Sequence, residues 1–390
     1  MARRGIWTSA ALFFSMNLFA GPADAQPAPT KVQQERAKAA AARTEPGPAV
    51  YPSSTANETA QFLAGLPPAP GSPFAPLTLD TAVDQHARHF NAEWAALEQR
   101  QLSKVRAFAA KNLTSPSKTL FYMFSGPDFL FADAFFPKAS TYVLVGLEPV
   151  GPVPDIAKLP KGALPKMLGQ LKTSLSHFVG KSYFVTSYMD QHLRQSVMPG
   201  TLPVLYVFLA RAGKTITSVE HMRLAADGTV APLGELAPGE RPRAAKITFT
   251  GKDGAEQTLY YFNTDLSNKG VEASGFLTFL KTLGPGDSFI KAASYLLHGG
   301  PFSNVRDFLL EKSVAIFQDD TGIPVRNYNP AQWTLTPFGT YTRPIPTFAR
   351  NYQKEMQTLF DQAKPAPLDF SISYRWRPGQ SSAFLARRKM

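Results

Sequence analysis

Cysteine is absent from all 390 residues of the chain. Its absence excludes disulfide bonds, thiol nucleophiles, thiolate metal ligands and a lipid-modified cysteine after a leader. A chain of this length is long enough to bury a large core without such cross-links. We therefore expect packing alone to hold the fold together.

Familiar catalytic motifs are absent as well. The sequence contains no G-x-S-x-G nucleophile turn, no glycine-rich phosphate loop ending in Gly-Lys-Ser/Thr and no H-E-x-x-H zinc motif. His86, His89 and Glu93 share one face of a predicted helix, and that spacing suits a zinc ion. Histidines at this spacing are more often solvent-facing, so we predict no metal site, and the cofactor is left unknown.

A leader for export is predicted at the N-terminus. Arg3 and Arg4 precede an uncharged, mostly apolar run at 5–20, and Ala23 and Ala25 are small residues at the two positions that a signal peptidase reads. The run is shorter than the roughly 20 residues that a transmembrane helix needs. We expect residues 1–25 to be removed, no transmembrane anchor to remain, and the mature protein to be periplasmic or secreted. The arginine pair leaves both the general and the twin-arginine routes open.

The chain carries an excess of positive charge, with 41 Lys and Arg against 29 Asp and Glu and a net charge of +12. A basic exported protein is drawn to anionic surfaces, so an anionic envelope polymer or the membrane surface is a candidate partner. No run of five like charges occurs, and no nucleic-acid-binding motif is present. We therefore expect no nucleic-acid partner.

Composition divides the rest of the chain into a linker and a globular part. Proline and alanine dominate residues 26–76, which predicts a disordered linker. A single globular domain is expected over 77–390. A lobe boundary near 240, in the sequence PGERP, is an alternative to a long surface loop there.

Hydrophobic periodicity predicts both helices and strands in the globular part. The predicted helices lie at 78–113, 163–178, 183–197, 275–283, 287–298, 304–312 and 346–363. The predicted strands lie at 120–124, 141–147, 202–210, 214–224, 244–250, 256–263, 314–317 and 368–374. Because some strands adjoin in hairpins and others are separated by helices, we expect a mixed α/β or α+β fold with helices packed on a mixed sheet.

A recurring pattern places a carboxylate just after an apolar strand. The pattern supplies four such carboxylates and two polar neighbours: Asp128, Glu148, Asp265, Asp320, Ser125 and Asp319. Ligands of α/β sheets gather beyond the carboxyl ends of the strands. A shared cleft there would make Asp128, Glu148 and Asp320 catalytic candidates and the other three binding residues. The competing interpretation is that these residues cap turns and helices.

Aromatic residues make up 12% of the chain, and some of them lie in predicted loops. Trp333 and Tyr341 occupy Pro/Gly-rich sequence, where their rings are candidates for stacking on a sugar.

Three functions stay open, and whether the protein is an enzyme is not decided. The favoured one is an exported cell-envelope protein that binds a ligand or an anionic or glycan surface polymer. A hydrolase acting through strand-end carboxylates on a glycan or phosphoester is the second, and an envelope assembly protein is the third. Clustered carboxylates in one cleft would favour the hydrolase, and a broad exposed apolar patch the assembly protein.

Overall fold

The central strands of the sheet are short apolar runs that are buried on both faces. The computed structural model describes residues 54–181, 194–234, 241–375 and 377–389. Its strands are β1 (Thr119–Tyr122), β2 (Thr141–Gly146), β3 (Thr215–Leu224), β4 (Val230–Pro232), β5 (Ala244–Thr250), β6 (Glu256–Asn263), β7 (Gly286–Ile290), β8 (Ser313–Asp319), β9 (Trp333–Gly339) and β10 (Ser382–Arg388).

Within the described residues the strands form one mixed sheet of ten, in the order β4-β3-β5-β6-β2-β1-β7-β8-β10-β9. The five neighbours from β6 to β8 are parallel to one another. Antiparallel strands extend the sheet at both ends of this parallel block. The predicted mixed α/β architecture is thereby confirmed. Strands from both sides of residue 240 belong to the same sheet, so a lobe boundary there does not divide it.

Helices cover both faces of the sheet. The helices are α1 (Ala56–Leu63), α2 (Thr81–Leu97), α3 (Ser103–Asn112), α4 (Phe129–Phe135), α5 (Leu164–Lys181), α6 (Leu202–Arg211), α7 (Asn268–Ser274), α8 (Phe276–Thr282), α9 (Ser303–Lys312) and α10 (Lys354–Ala363). Side chains of β1 alternate between two cores. Leu120 and Tyr122 pack with α1 to α6, whereas Phe121 and Met123 pack with α7 to α10.

The long amphipathic helix predicted at 78–113 is present, interrupted by one π-helical turn at Glu98–Leu102. Asp80 begins it, because its side chain accepts a hydrogen bond from the backbone N–H of Ala82. The helices predicted at 163–178, 275–283 and 304–312 and the hairpin of β5 with β6 are also present. No helix in the described ranges is long and apolar enough to cross a membrane.

Two predicted elements have the wrong type. The run at 202–210, predicted as a strand, is helix α6, and the start of the helix predicted at 287–298 is strand β7. Both segments are buried, but their sequences differ in character. Every residue of β7 is buried, and so are nine of the ten residues of α6. In α6, apolar residues on all sides give no periodicity to distinguish helix from strand. In β7, the polar residues Asp287 and Ser288 are themselves buried and hydrogen-bonded to Ser117 and Ser313, so they do not mark a solvent-facing side.

Both ends of the globular part also differ from the prediction. The strand predicted at 368–374 is not one of the sheet strands, and β10 is instead inserted between β8 and β9. At the other end, the linker predicted over 26–76 extends too far, because α1 lies within it and buries Ala60 and Leu63 completely. Most of the helix predicted at 183–197, and residues 1–53, lie outside the described residues.

Candidate functional site

A cleft of about 170 Å³ lies at the carboxyl ends of four adjacent parallel strands, β6, β2, β1 and β7. Its walls are the segments that follow these strands. The chain runs from β1 to β2 on one side of β1 and returns to β7 on the other side. The cleft therefore lies where the strand order reverses, which is the usual ligand position in open α/β sheets.

Glu148 forms the floor of this cleft. Its side chain is nearly fully buried and lies against the backbone of two glycines. A Cβ atom on Gly146 would be 2.3 Å from Glu148 Oε2, and one on Gly126 would be 3.5 Å from the same atom. The Tyr261 hydroxyl donates to the Glu148 carbonyl oxygen at 3.0 Å and lies 3.4 Å from Oε2. Burial and the Glu148 carboxylate raise the pKa of Tyr261. The glycines thus leave the space in which the carboxylate lies.

Asp265 also lines the cleft and is exposed. Its carboxylate accepts hydrogen bonds from the backbone N–H and the hydroxyl of Ser267, both at 2.8 Å. The Asn263 amide donates to the carbonyl oxygens of Leu147 and Glu148 at 2.7 and 3.0 Å, which ties the end of β6 to the end of β2. The structure therefore brings Glu148 and Asp265 together in one cleft.

Backbone strain is concentrated in the walls. Phe124, Ala292 and Ser294 all line the cleft and have φ angles of 60°, 54° and 51°. Residues other than glycine rarely adopt these left-handed backbone angles. Each such residue costs roughly 1–3 kcal/mol, and such residues cluster at functional sites. The surrounding structure must therefore fix both loops.

Asp319 is one of the residues that fix the loop after β7. Its carboxylate accepts from the N–H of Ala292 at 2.8 Å, and Thr321 Oγ1 accepts from the N–H of Ala293 at 2.8 Å. The Tyr374 hydroxyl donates to the Ala292 carbonyl oxygen at 2.9 Å. Burial raises the pKa of Asp319, which hydrogen bonds from Thr321 and from the Ala292 N–H oppose. Asp319 was predicted to bind a ligand, but it supports the cleft from behind.

Asp128 is buried beneath the cleft rather than lining it. Its carboxylate lies 2.6 Å from Lys291 Nζ and accepts from the Tyr122 hydroxyl at 2.8 Å. The other oxygen accepts from the N–H of Phe131 at 3.1 Å and caps α4. Burial lowers the pKa of Lys291, and Asp128 opposes that change. The capping interpretation describes Asp128 better than the catalytic one.

Ser125 has a similar supporting position. Its hydroxyl donates to the Gly126 carbonyl oxygen at 2.8 Å and accepts from the N–H of Val145 at 2.9 Å. The side chain is buried and joins the end of β1 to the end of β2.

Asp320 does not line the cleft either. It accepts from the Tyr295 hydroxyl at 2.5 Å, and burial together with the adjacent Asp319 raises its pKa to about 7. The three carboxylates predicted to share one cleft therefore do not do so, because of the three only Glu148 is among the residues that line it. The strand ends meet at one edge, but Asp128 and Asp320 turn toward buried partners.

The two predicted sugar-stacking rings are core residues. Trp333 is 4% exposed, and the Arg388 guanidinium lies 4.8 Å from the centre of its ring. Tyr341 is 7% exposed and packs parallel to Tyr352. Neither ring has an open face for a sugar.

Of the three candidate metal ligands on α2, only His86 is buried by packing, whereas His89 is partly exposed and Glu93 is exposed. His86 Nε2 lies 2.9 Å from the Leu63 carbonyl oxygen, and burial lowers the pKa of His86 to about 4. The described ranges contain no group of three or more His, Asp or Glu side chains arranged to hold a metal.

Sequence reasoning missed the glycines beneath Glu148 and the strained loop after β7. One signal was available in the sequence: strand β1, Gly126, helix α4, strand β2 and Glu148 follow one another along the chain. The strained loop left no such signal, because its sequence (AAS) has no glycine. Comparison with known proteins gave no match: no family model, no curated protein and no solved structure matches the chain.

Proposed function

We propose that the cleft binds the ribose of a nucleoside-type small molecule. The observation that carries this proposal is the position of Glu148, which follows β2 and lies 22 positions after Gly126. In nucleotide-binding α/β folds, an acid about 20 residues beyond the glycine loop accepts hydrogen bonds from the ribose hydroxyls. The buried carboxylate at the reversal point of the strand order supports the same assignment here.

The base would lie between apolar walls. Phe124, Leu266 and Phe302 line the cleft and offer the apolar surface on which a flat ring packs. Asp265 is a hydrogen-bond acceptor in the same cleft, and an exocyclic amino group such as that of adenine is a matching donor. A purine nucleoside with an amino group satisfies both features.

A pyrophosphate does not fit the start of α4. The loop after β1 contains one glycine, whereas a dinucleotide-binding loop uses three to let the phosphates approach the backbone. The Asp128 carboxylate already bonds to an N–H at this helix end, so a phosphate there would meet a negative charge. We therefore propose an adenosine-type ligand without phosphates at this position, a class that includes adenosine and S-adenosyl compounds.

The hydrolase alternative receives less support. Acid–base hydrolysis of a glycan needs two carboxylates facing one substrate bond. Asp128 is paired with Lys291 and Asp320 is hydrogen-bonded to Tyr295, so neither faces the cleft. Glu148 and Asp265 do share the cleft, but both oxygens of Asp265 already accept hydrogen bonds from Ser267.

Binding titrations test the proposal with a panel of ligands. Adenosine and S-adenosylhomocysteine should bind the full chain at least about tenfold more tightly than NAD or ATP, since only the latter pair carries phosphates. Tighter binding of NAD or ATP would contradict the phosphate exclusion. Absence of binding by all four would contradict the ribose site itself.

Export is a separate proposal that rests on the leader at 1–25. N-terminal sequencing of protein from the extracytoplasmic fraction should begin at Gln26. Retention of Met1 in exported protein would contradict it.

A further inference from the structure

A second cavity, of about 340 Å³, lies beside the segment that follows β2. It is twice the volume of the cleft and uses different residues. Four prolines and two glycines line it, together with Arg194 and Arg241. None of the described residues that line it is acidic, whereas the cleft contains Glu148 and Asp265.

The floor of this cavity is held rigidly by two crossing glycines. Gly151 and Gly200 have φ angles of 80° and 96°, and a Cβ atom on Gly200 would be 2.3 Å from the Cα atom of Gly151. The N–H of Thr201 donates to the carbonyl oxygens of Pro149 and Val150 at 2.9 and 3.0 Å. His221 Nε2 lies 2.9 Å from the Gly151 carbonyl oxygen. The end of β2, the start of α6 and strand β3 therefore fix the floor from three sides.

We propose that this cavity binds a small oxyanion, the phosphate or carboxylate group of a metabolite, through Arg194 and Arg241. Guanidinium groups carry forked donors that match the oxygens of both groups, and they keep their charge at any physiological pH. A proline- and glycine-lined floor does not need to reorganise when the anion binds, which reduces the entropic cost. This site is independent of the nucleoside proposal, because the two cavities share no lining residue.

Arg243 provides a matched control. It belongs to the same Arg-Pro-Arg sequence as Arg241 and is exposed, but it is not among the residues that line the cavity. Removal of any one of these arginines changes the net charge equally. A difference in anion affinity between the variants therefore indicates a specific site.

Calorimetric titration of the full chain with phenyl phosphate and with succinate tests the proposal. Arg241→Ala and Arg194→Ala should each weaken the binding of at least one probe by about tenfold or more, and Arg243→Ala by less than about twofold. Arg241→Lys keeps the charge but loses the fork, so its affinity should fall between those of the wild type and Arg241→Ala. Unchanged melting temperatures verify that the variants are folded.

The two probes identify the source of the anion. A preference for phenyl phosphate assigns a phosphate ester, and a preference for succinate assigns a carboxylate. Equal weakening by all three alanine variants would mean that only general surface charge attracts anions, and it would overturn the site. Absence of binding by both probes would overturn it as well. Glu148→Gln should leave oxyanion binding unchanged, because Glu148 does not line this cavity. The oxyanion proposal and the nucleoside proposal can therefore fail independently of each other.

Discussion

Buried carboxylates in this protein are held by specific donors, and their ionisation is linked to stability. Asp320 is 9% exposed, accepts from Tyr295 and has a pKa raised to about 7 in the folded chain. An unfolded Asp titrates near about 3.9. Between these two values the folded protein binds the additional proton, so the contribution of Asp320 to the free energy of unfolding decreases as the pH rises.

Asp320→Asn should remove this pH dependence while keeping an acceptor for the Tyr295 hydroxyl. Relative to wild type, the variant should gain on the order of 1 kcal/mol or more in free energy of unfolding between pH 5 and pH 8. Urea unfolding at the two pH values measures the difference. A variant whose stability follows that of wild type at both pH values would show that Asp320 titrates normally.

The Lys291–Asp128 ion pair joins the two loops that form the strained walls of the cleft. Lys291 precedes the loop after β7, and Asp128 ends the loop after β1. Buried ion pairs seldom add net stability, but removal of one partner is costly. The pair is thus better suited to fixing the loops than to strengthening the core.

Lys291→Met should lower the free energy of unfolding by about 3–5 kcal/mol and loosen both loops. The control is Lys214→Met, which breaks another buried pair, 2.8 Å between Lys214 and Asp133, at the opposite edge of the sheet. Hydrogen exchange should accelerate at 124–127 and 292–296 only in Lys291→Met. Equal protection of these loops in both variants would refute the positioning role.

At the scale of elements, prediction succeeded where each segment had one apolar face. The long helix at 78–113 and the hairpin of β5 with β6 follow from periodicity and from the Asp-Gly turn. The types of helix α6 and strand β7 were not predicted, because both elements are buried and show no solvent-exposed face from which a period could be read. Their type is decided by tertiary packing.

The residues of the candidate site were likewise predictable only in part. Carboxylates after parallel strands had to meet at one edge of the sheet, so Glu148 and Asp265 were predictable. The direction of Asp128 was not, because it depends on Lys291, which is distant in the chain and follows a strand that was predicted as a helix. Long-range pairs of this kind leave no local pattern.

Helix α1 tests the limit of the predicted linker. It caps itself through Thr55 and Glu58 and packs on α6, with Ala60 and Leu63 fully buried. A chain that begins at residue 67 should melt well below one that begins at Ser54, since each large apolar side chain removed from a core costs about 1.5–3 kcal/mol. Thermal unfolding of the two truncated chains compares them directly. Equal melting temperatures would mean that α1 belongs to the linker after all.

At the scale of the molecule, the sheet separates two hydrophobic cores, and the residues of the candidate site lie at the carboxyl ends of its parallel strands. The parallel block orients four strand ends toward the cleft, while the helices on both faces exclude water from the sheet. This arrangement explains why the cleft combines a buried carboxylate, close glycines and strained loops. Its central prediction concerns the hydroxyls of a ribose.

The most direct test compares the affinities of adenosine and 2′,3′-dideoxyadenosine for wild type and for Glu148→Gln. If Glu148 accepts hydrogen bonds from the ribose hydroxyls, wild type should bind adenosine about tenfold or more tightly than the dideoxy compound. Glu148→Gln should lose most of this preference while binding the dideoxy compound as wild type does. Equal affinity of wild type for the two compounds, or a preference that survives in Glu148→Gln, would contradict the assignment of Glu148 as the ribose acceptor.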